Sequence, residues 1–192
     1  MPRSLTNVVG FDDSPFPYEH RGDVRVVGAV CARTRLDGVL ATTVRRDGTN
    51  STDRLIEAVR SSRFSDHIRA VLLQGIALAG FNVVDLTRLS ETLDMPVLVV
   101  VRKQPRLHLV KSALLDRTPG GEEKWRLIEK HTARYGTLEK LGALYIQRAG
   151  LTSREAEELL AATTSHGNIP EPLRLAHIIA GGVERGASRG RP

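Results

Sequence analysis

The stretch Asn7-Val8-Val9-Gly10-Phe11-Asp12-Asp13-Ser14-Pro15 carries the most information about the fold. A short apolar run ends in two adjacent carboxylates, and a Ser-Pro turn follows at once. Because a desolvated carboxylate is costly in a protein interior, we expect Asp12 and Asp13 at the open end of a strand, beside a cleft. Carboxylates in that position suit a hard divalent ion such as Mg²⁺. An ordinary turn is the alternative here, since Asp before Ser-Pro is common in loops.

The composition is that of a chain with an ordinary core and a basic surface. Of its 192 residues, 41% are hydrophobic and 26% are charged, and the formal net charge is +6. This charge favours polyanionic partners. The single cysteine, Cys31, excludes an internal disulfide and multi-cysteine zinc sites, and it fits a reducing cytoplasm. Because no apolar stretch approaches a membrane span, we expect a cytoplasmic protein with no membrane partner. The oligomeric state stays open.

The hydrophobic pattern predicts strands alternating with helices in the first part of the chain. Predicted strands cover 8–11, 24–33, 39–44, 70–73 and 95–101, the first three as an antiparallel meander. A helix is predicted through Leu55 and Val59, and another runs from Val83 through Leu93. The second half reads as mainly helical, although 143–147 is ambiguous between strand and helix. We therefore expect an α/β core over 1–118, a helical extension over 119–184 packed on it in the same domain, and a flexible basic tail over 185–192.

Polar residues follow three of the predicted strands at what we expect to be one edge of the sheet. Asp12 and Asp13 follow the first strand, the segment 47–53 follows the third, and the segment 74–85 follows the fourth. This arrangement resembles the ribonuclease H-like fold and, within it, the endonuclease V branch. The resemblance includes Gly10-Phe11-Asp12 at the first strand end and the Pro-started strand that leads from Met95 to Arg102.

Six strings carry a closer resemblance. They are Gly10 to Asp13, Arg46-Asp47-Gly48, Gly75-Ile76, Ala79 to Asp85, Gly167 to His177, and Gly186 to Arg191. Together they are similar to a mostly archaeal family, long catalogued as a domain of unknown function and more recently called endonuclease dU. The resemblance implies a ribonuclease H-like mixed sheet flanked by helices. It also implies a DNA-repair endonuclease that uses Mg²⁺ or Mn²⁺ and acts on DNA containing deaminated bases such as deoxyuridine.

The chain departs from the family pattern at positions that bear on the metal. The usual Asp before Gly75 is Gln74 here, Asn50 replaces an acid, and Asp53 replaces a Glu. A neutral amide can still offer an oxygen to a metal, but it adds no charge, and metal-dependent cleavage needs negative ligands. A non-catalytic nucleic-acid-binding protein with a degraded metal site is therefore one alternative. An RNA-directed nuclease is another.

The resemblance implies a set of metal and catalytic residues. The candidate metal ligands are Asp12, Asp53, Gln74 and Asp85, and the candidate catalytic residues are Asp12, Asp13, Asp53 and Arg102. Each has an ordinary alternative: Asp13 could hold the turn, Asp53 lies in a first helical turn where acids are common, and Asp85 could be solvated on a helix. Arg102 could stabilise charge on a phosphate or lie free in solvent at a strand end.

The candidate nucleic-acid contacts lie in three segments. The residues that we expect to contact nucleic acid are Asp47, Gly80, Phe81, Asn82, Lys103 and Arg106. Gly80 and Asn82 belong to a segment whose amides could receive a phosphate, whereas Phe81 could stack on a base or pack in the core. Asp47 could be part of a simple turn. Lys103 and Arg106 could contact backbone phosphates without sequence selectivity. His177 shares an apolar helix face with Leu173, which favours a buried structural histidine over a catalytic one.

Overall fold

A seven-stranded mixed sheet organises the protein, and the computed structural model describes residues 5–188. The strands are β1 (Asn7–Asp13), β2 (Asp23–Ala32), β3 (Arg35–Arg45), β4 (Ala70–Gln74), β5 (Ala77–Leu78), β6 (Asn82–Val83), β7 (Val97–Val101), β8 (Glu139–Leu141) and β9 (Leu144–Ala149). The helices are α1 (Ser51–Arg60), α2 (Leu86–Leu93), α3 (Leu107–Arg117), α4 (Gly121–Tyr135), α5 (Ser153–Thr163) and α6 (Glu171–Arg185). The sheet order is β3-β2-β1-β4-β7-β9-β8, and β5 pairs with β6 separately.

The strand meander and the crossovers that follow it agree with the predicted fold class. β1, β2 and β3 are antiparallel neighbours, whereas β4 lies parallel to β1 and β7 lies parallel to β4. Because parallel neighbours need a crossover, α1 and α2 connect these strands. The carboxyl ends of β1, β4 and β7 therefore meet at one edge of the sheet.

The second half differs from its predicted, mainly helical form by one hairpin. Residues 144–147 of the ambiguous segment 143–147 belong to β9, which pairs antiparallel with both β7 and β8 and extends the sheet. The helix predicted from Val83 begins only at Leu86, because Val83 pairs with Ala77 in the small β5–β6 hairpin. Of the predicted flexible tail, Arg185 ends α6 and residues 189–192 lie outside the described residues. Within residues 5–188, no helix is long and apolar enough to cross a membrane.

Alternation along β1 directs its side chains into two separate cores. Val9 and Phe11 pack in the core that contains residues of α1 and α2, whereas Val8 packs in the core beneath α5 and α6. Successive strand residues point to opposite faces, so Gly10 and Asp12 face α6. Burial on both faces explains why the strand reads as a nearly continuous apolar run.

Gly10 allows α6 to lie directly on β1. A Cβ atom at this position would lie 2.6 Å from the backbone carbonyl carbon of Pro172 in the first turn of α6. Leu173, Ala176 and Ala180 are buried on the helix face that meets the sheet. Farther along, the hydroxyl of Ser14 donates to the carbonyl oxygen of Ala180 at 3.3 Å. The helix thus runs beside the strand as far as the sheet edge where the two carboxylates lie.

Candidate active site

The carboxyl ends of β1 and β4 and the last turns of α6 enclose a cavity of about 350 Å³. Its lining consists of Asp12, Asp13, Ser14, Pro15, Phe16, Gln74, His177, Gly181 and Arg185. In the parallel pairing Phe11 lies opposite Leu73, so the next residue of each strand, Asp12 and Gln74, emerges at the same level. We call this cavity the carboxylate cavity.

Asp12 is held by a histidine from the opposite end of the chain. The carboxylate is 6% exposed, and its Oδ2 atom lies 2.8 Å from Nδ1 of His177. Its Oδ1 atom accepts a hydrogen bond from the amide of Asp13 at 3.0 Å. The hydrogen bond to Asp12 raises the pKa of His177, although burial and the charge of Arg102 act against it. The contact with Asp12 therefore favours the protonated form of the His177 ring.

Asp13 also lines the carboxylate cavity and holds the loop after β4. Its Oδ2 atom accepts a hydrogen bond from the amide of Ala79 at 2.6 Å. Burial, together with the neighbouring charge of Asp12, raises the pKa of Asp13 to about 6, despite the backbone hydrogen bonds that favour the charged form. The buried carboxylate of Asp12 and the half-buried carboxylate of Asp13 repel each other, so the cavity favours a cation.

Gln74 brings an unsatisfied oxygen to the same cavity. Its Oε1 atom is buried and has no hydrogen-bond partner among residues 5–188. A buried polar atom without a partner costs about 1–3 kcal/mol. This cost indicates a position at which a ligand, and above all a cation, would complete the site.

The segment Ala79–Asn82 binds protein carboxylates and backbone groups. The amide of Ala79 donates to Asp13, and the amide of Phe81 donates to Oδ1 of Asp47 at 2.8 Å. Gly80 has a φ of +84° and lies against the Asp47 carboxylate, where a side chain would not fit. The Asn82 side chain is fully buried, accepts from the amide of Ser51 and donates to the carbonyl of Arg45. Asp47 and Asn82 thus anchor this segment.

Asp53 and Asp85 do not line the carboxylate cavity. Asp53 is exposed on α1 and forms an ion pair with Arg88. Asp85 caps α2 by accepting from the amide of Arg88 at 3.0 Å. Burial raises the pKa of Asp85, but hydrogen bonds from Arg88 and His131 outweigh it, so the net pKa is lowered. Within residues 5–188, no three His, Cys, Asp or Glu side chains converge closely enough to hold a metal ion.

The predicted cations after β7 lie outside this cavity, and a different arginine lines it. Arg102, Lys103 and Arg106 are exposed, and Arg102 lines a neighbouring groove with His166 and residues of the segment that leads into α6. Arg185, in the last turn of α6, lines the carboxylate cavity itself. Sequence reasoning overlooked Arg185 and interpreted His177 as structural. The only available signal was the specificity of the string Gly167 to His177.

A second cavity, of about 380 Å³, begins one residue beyond Gln74. Its lining is largely apolar and comes from the segment after β4, the end of β7, and α3 and α4; it includes Gly75, Phe81, Val101, Val110 and Ile128. A few polar residues complete it, among them Gln104, Thr132 and Gln147. Residues of the loop that Asp13 holds line this apolar cavity. Such a size and mixture of groups are typical of a site for a small ligand.

The sequence matches a known protein family over almost its whole length. The pattern of the endonuclease dU family matches residues 4–184. The chain belongs to the endonuclease dU family. A relative in this family, the UPF0215 protein DR_A0167 of Deinococcus radiodurans, is 52% identical over 194 residues, which cover 100% of this chain and 97% of the relative.

Solved structures agree with this assignment. A protein of unknown function from Archaeoglobus fulgidus has a TM-score of 0.83 at 36% identity, covering 92% of this chain and 97% of the other. Endonuclease V of Ciona intestinalis, solved with DNA containing an inosine followed by a ribo-adenosine, has a TM-score of 0.54 at 14% identity, covering 90% and 83%. The second likeness shows that this chain has the fold of endonuclease V, as the sequence predicted.

Proposed function

We propose that this protein is a metal-dependent endonuclease that cleaves a DNA phosphodiester beside a deaminated base of the deoxyuridine type, as a step of DNA repair. The observation that carries the proposal is the carboxylate cavity, in which Asp12, Asp13, Gln74 and His177 meet at the edge of the sheet. The family name, the DNA-bound endonuclease V with the same fold and the net charge of +6 support it.

The residues of the carboxylate cavity fit a hard divalent ion. Asp12 and Asp13 offer charged oxygens, and Gln74 Oε1 is a buried oxygen without a partner among the described residues. Mg²⁺ and Mn²⁺ prefer such oxygen donors and keep several waters. When bound, an ion of this kind neutralises phosphate charge and lowers the pKa of water. We propose Asp12, Asp13 and Gln74 as its ligands.

Two basic residues of α6 would act on the phosphate. Asp12 orients the His177 ring through Nδ1, and Nε2 makes no hydrogen bond among residues 5–188. A ring held in this way can carry a proton to an oxygen of the substrate. Arg185 lines the same cavity and would bind the phosphate oxygens, because a guanidinium matches their geometry. Arg102, in the neighbouring groove, would contact the strand farther along.

The apolar cavity beyond Gln74 would take the base. Enzymes that act on a damaged nucleotide commonly extrude its base into a pocket, and a mispaired base is the easiest to extrude. The apolar walls would stack against the base, and the polar groups of Gln104, Thr132 and Gln147 would contact its edge. A base in this cavity would bring its own strand past the carboxylate cavity.

The proposal is tested with labelled DNA strands that carry one deoxyuridine, one deoxyinosine or neither, and with the matching RNA strands. We expect nicking of a modified DNA strand with Mg²⁺ or Mn²⁺ and none with a chelator. Nicking confined to RNA would redirect the proposal to an RNA nuclease. Binding without nicking of any strand would contradict it. That outcome would favour a non-catalytic binding protein, which the neutral residue at position 74 supports.

Gln74→Met is expected to separate metal binding from stability. The substitution removes the unpaired oxygen but keeps the volume, so the metal-free protein should gain about 1 kcal/mol in free energy of unfolding. The Mg²⁺ concentration that half-saturates the protein should rise by about tenfold, since one oxygen ligand is lost. Thermal unfolding with and without Mg²⁺ measures both effects.

Gln74→Glu serves as the matched control because it keeps an oxygen at this position and adds a charge. It should bind Mg²⁺ at least as tightly as the natural protein. If Gln74→Met and Gln74→Glu respond to Mg²⁺ in the same way, Gln74 is not a ligand.

A further inference from the structure

Tyr18 is an exposed aromatic residue near the carboxylate cavity. Its side chain is 77% exposed, and it lies in the loop 14–22 that joins β1 to β2 directly after Asp12 and Asp13. Its hydroxyl makes no hydrogen bond among residues 5–188. Neither core packing nor a hydrogen bond of the hydroxyl therefore accounts for a large aromatic ring at this position.

Two arginines hold the loop that carries Tyr18. The guanidinium of Arg46 lies 5.6 Å from the Tyr18 ring centroid and 5.3 Å from that of Phe16, and it donates to the carbonyl oxygens of Tyr18 and His20. Arg21 donates to the same two carbonyls, at 2.8 Å and 3.0 Å. A cation over one face of an aromatic ring is attracted by its π-system and fixes its orientation. The ring is thus held in place while most of its surface faces solvent.

The loop also connects Tyr18 to the carboxylate cavity. Pro15 and Phe16 line that cavity, so Tyr18 lies two residues beyond its wall. Phe16 packs against the core on the α1 and α2 side of the sheet. A strand that passes over the cavity would meet the Tyr18 ring just outside it.

We propose that Tyr18 is a stacking platform for an unpaired nucleobase of the strand bound at the carboxylate cavity, an inference that rests on the proposed function. Every base has a π-face, so an aromatic platform binds single-stranded nucleic acid with little sequence preference. Arg46, held behind the ring, strengthens the platform because the base meets a ring that is already oriented. The platform takes a base that flanks the damaged one, whereas the apolar cavity takes the damaged base itself.

The test compares Tyr18→Leu, which removes the π-face, with Tyr18→Phe, which keeps it. Each full-length protein is titrated, in chelator so that no cleavage occurs, with single-stranded DNA that carries deoxyuridine and fluorescent 2-aminopurine at successive flanking positions. We expect Tyr18→Leu to bind about tenfold more weakly, and to lose the 2-aminopurine quenching at one flanking position. Tyr18→Phe should retain both. Leu36→Ala is the control, because Leu36 is an exposed residue paired with Cys31 at the opposite end of β2.

The outcomes separate this inference from the proposed function. If Tyr18→Leu matches the natural protein in affinity and quenching, the platform is wrong, and cleavage by the natural protein still decides the function. If Tyr18→Leu loses affinity and Tyr18→Phe does not, while the natural protein cleaves nothing, the platform stands and the nuclease proposal fails. Absence of binding by the natural protein would overturn the platform, while the nicking assay with Mg²⁺ or Mn²⁺ would still decide the proposed function.

Discussion

Asp12→Asn is expected to abolish cleavage, lowering the rate by about a thousandfold, while the protein stays folded. The substitution keeps the shape of the side chain but removes its charge from the carboxylate cavity, so a divalent ion loses a ligand. It also removes the negative charge that faces Nδ1 of His177 and raises the pKa of that ring. A single lost electrostatic or acid–base contribution at a reacting phosphate costs about 10²–10⁴ in rate.

The measurement is single-turnover nicking of the best modified strand, with circular dichroism to verify the fold. Asp37→Asn is the matched control, because Asp37 lies at the far end of the β2–β3 hairpin and pairs with Arg35. Asp53→Asn separates the two possible ligand sets. If Asp53→Asn abolishes cleavage and Asp12→Asn does not, the metal lies at α1 and the carboxylate cavity is not the active site.

Gly10→Ala is expected to lower the free energy of unfolding by about 3 kcal/mol. The added methyl group would lie 2.6 Å from the backbone of Pro172. Because the contact is with backbone, the clash can be relieved only if β1 or α6 shifts as a whole. Overpacking of a close contact costs about 1–3 kcal/mol, and a contact with backbone lies at the upper end. Because α6 would shift on β1, cleavage should also fall at temperatures where the protein is still folded.

Denaturant unfolding with Gly182→Ala as the control isolates this contact. Gly182 lies in the same helix, and a Cβ there would meet no atom within 4 Å. Alanine at an open helical position raises the free energy of unfolding by about 0.5–1 kcal/mol relative to glycine, so this variant should be slightly more stable. Equal destabilisation by the two substitutions would show that the β1–α6 contact is not the cause.

The elements that depend on local pattern were predictable from the sequence. β1 and β7 are apolar runs of strand length, and Thr152 and Glu155 have the spacing of the capping box that opens α5. The hairpin of β8 and β9 was not predictable in the same way. A short apolar run such as 144–149 fits strand and helix alike, and pairing with β7, more than forty residues earlier, decides between them.

The sequence predicted the position of the site residue that lies at a strand end. It did not predict the positions of residues that depend on how the helices pack against the sheet. Asp12 lies at the sheet edge, where its position after an apolar strand suggested it would be. Asp53 and Asp85 looked close to the same edge along the chain, but α1 and α2 bring both to Arg88 instead. His177 reads as a core histidine because its neighbours in α6 are apolar. Its contact with Asp12 depends on how α6 lies on β1, which no local pattern encodes.

The pairing of Asp12 with His177 has a consequence for biosynthesis. The two residues are 165 positions apart, and the second lies in the final helix of the described chain. While the chain is being made, the first strand leaves the ribosome long before its histidine partner exists. Asp12 and Asp13 therefore lie at an incomplete sheet edge until α6 has been made. Truncated chains lack the Asp12–His177 pair altogether. Under the proposed function, a nascent or prematurely ended chain would be unable to cut nucleic acid.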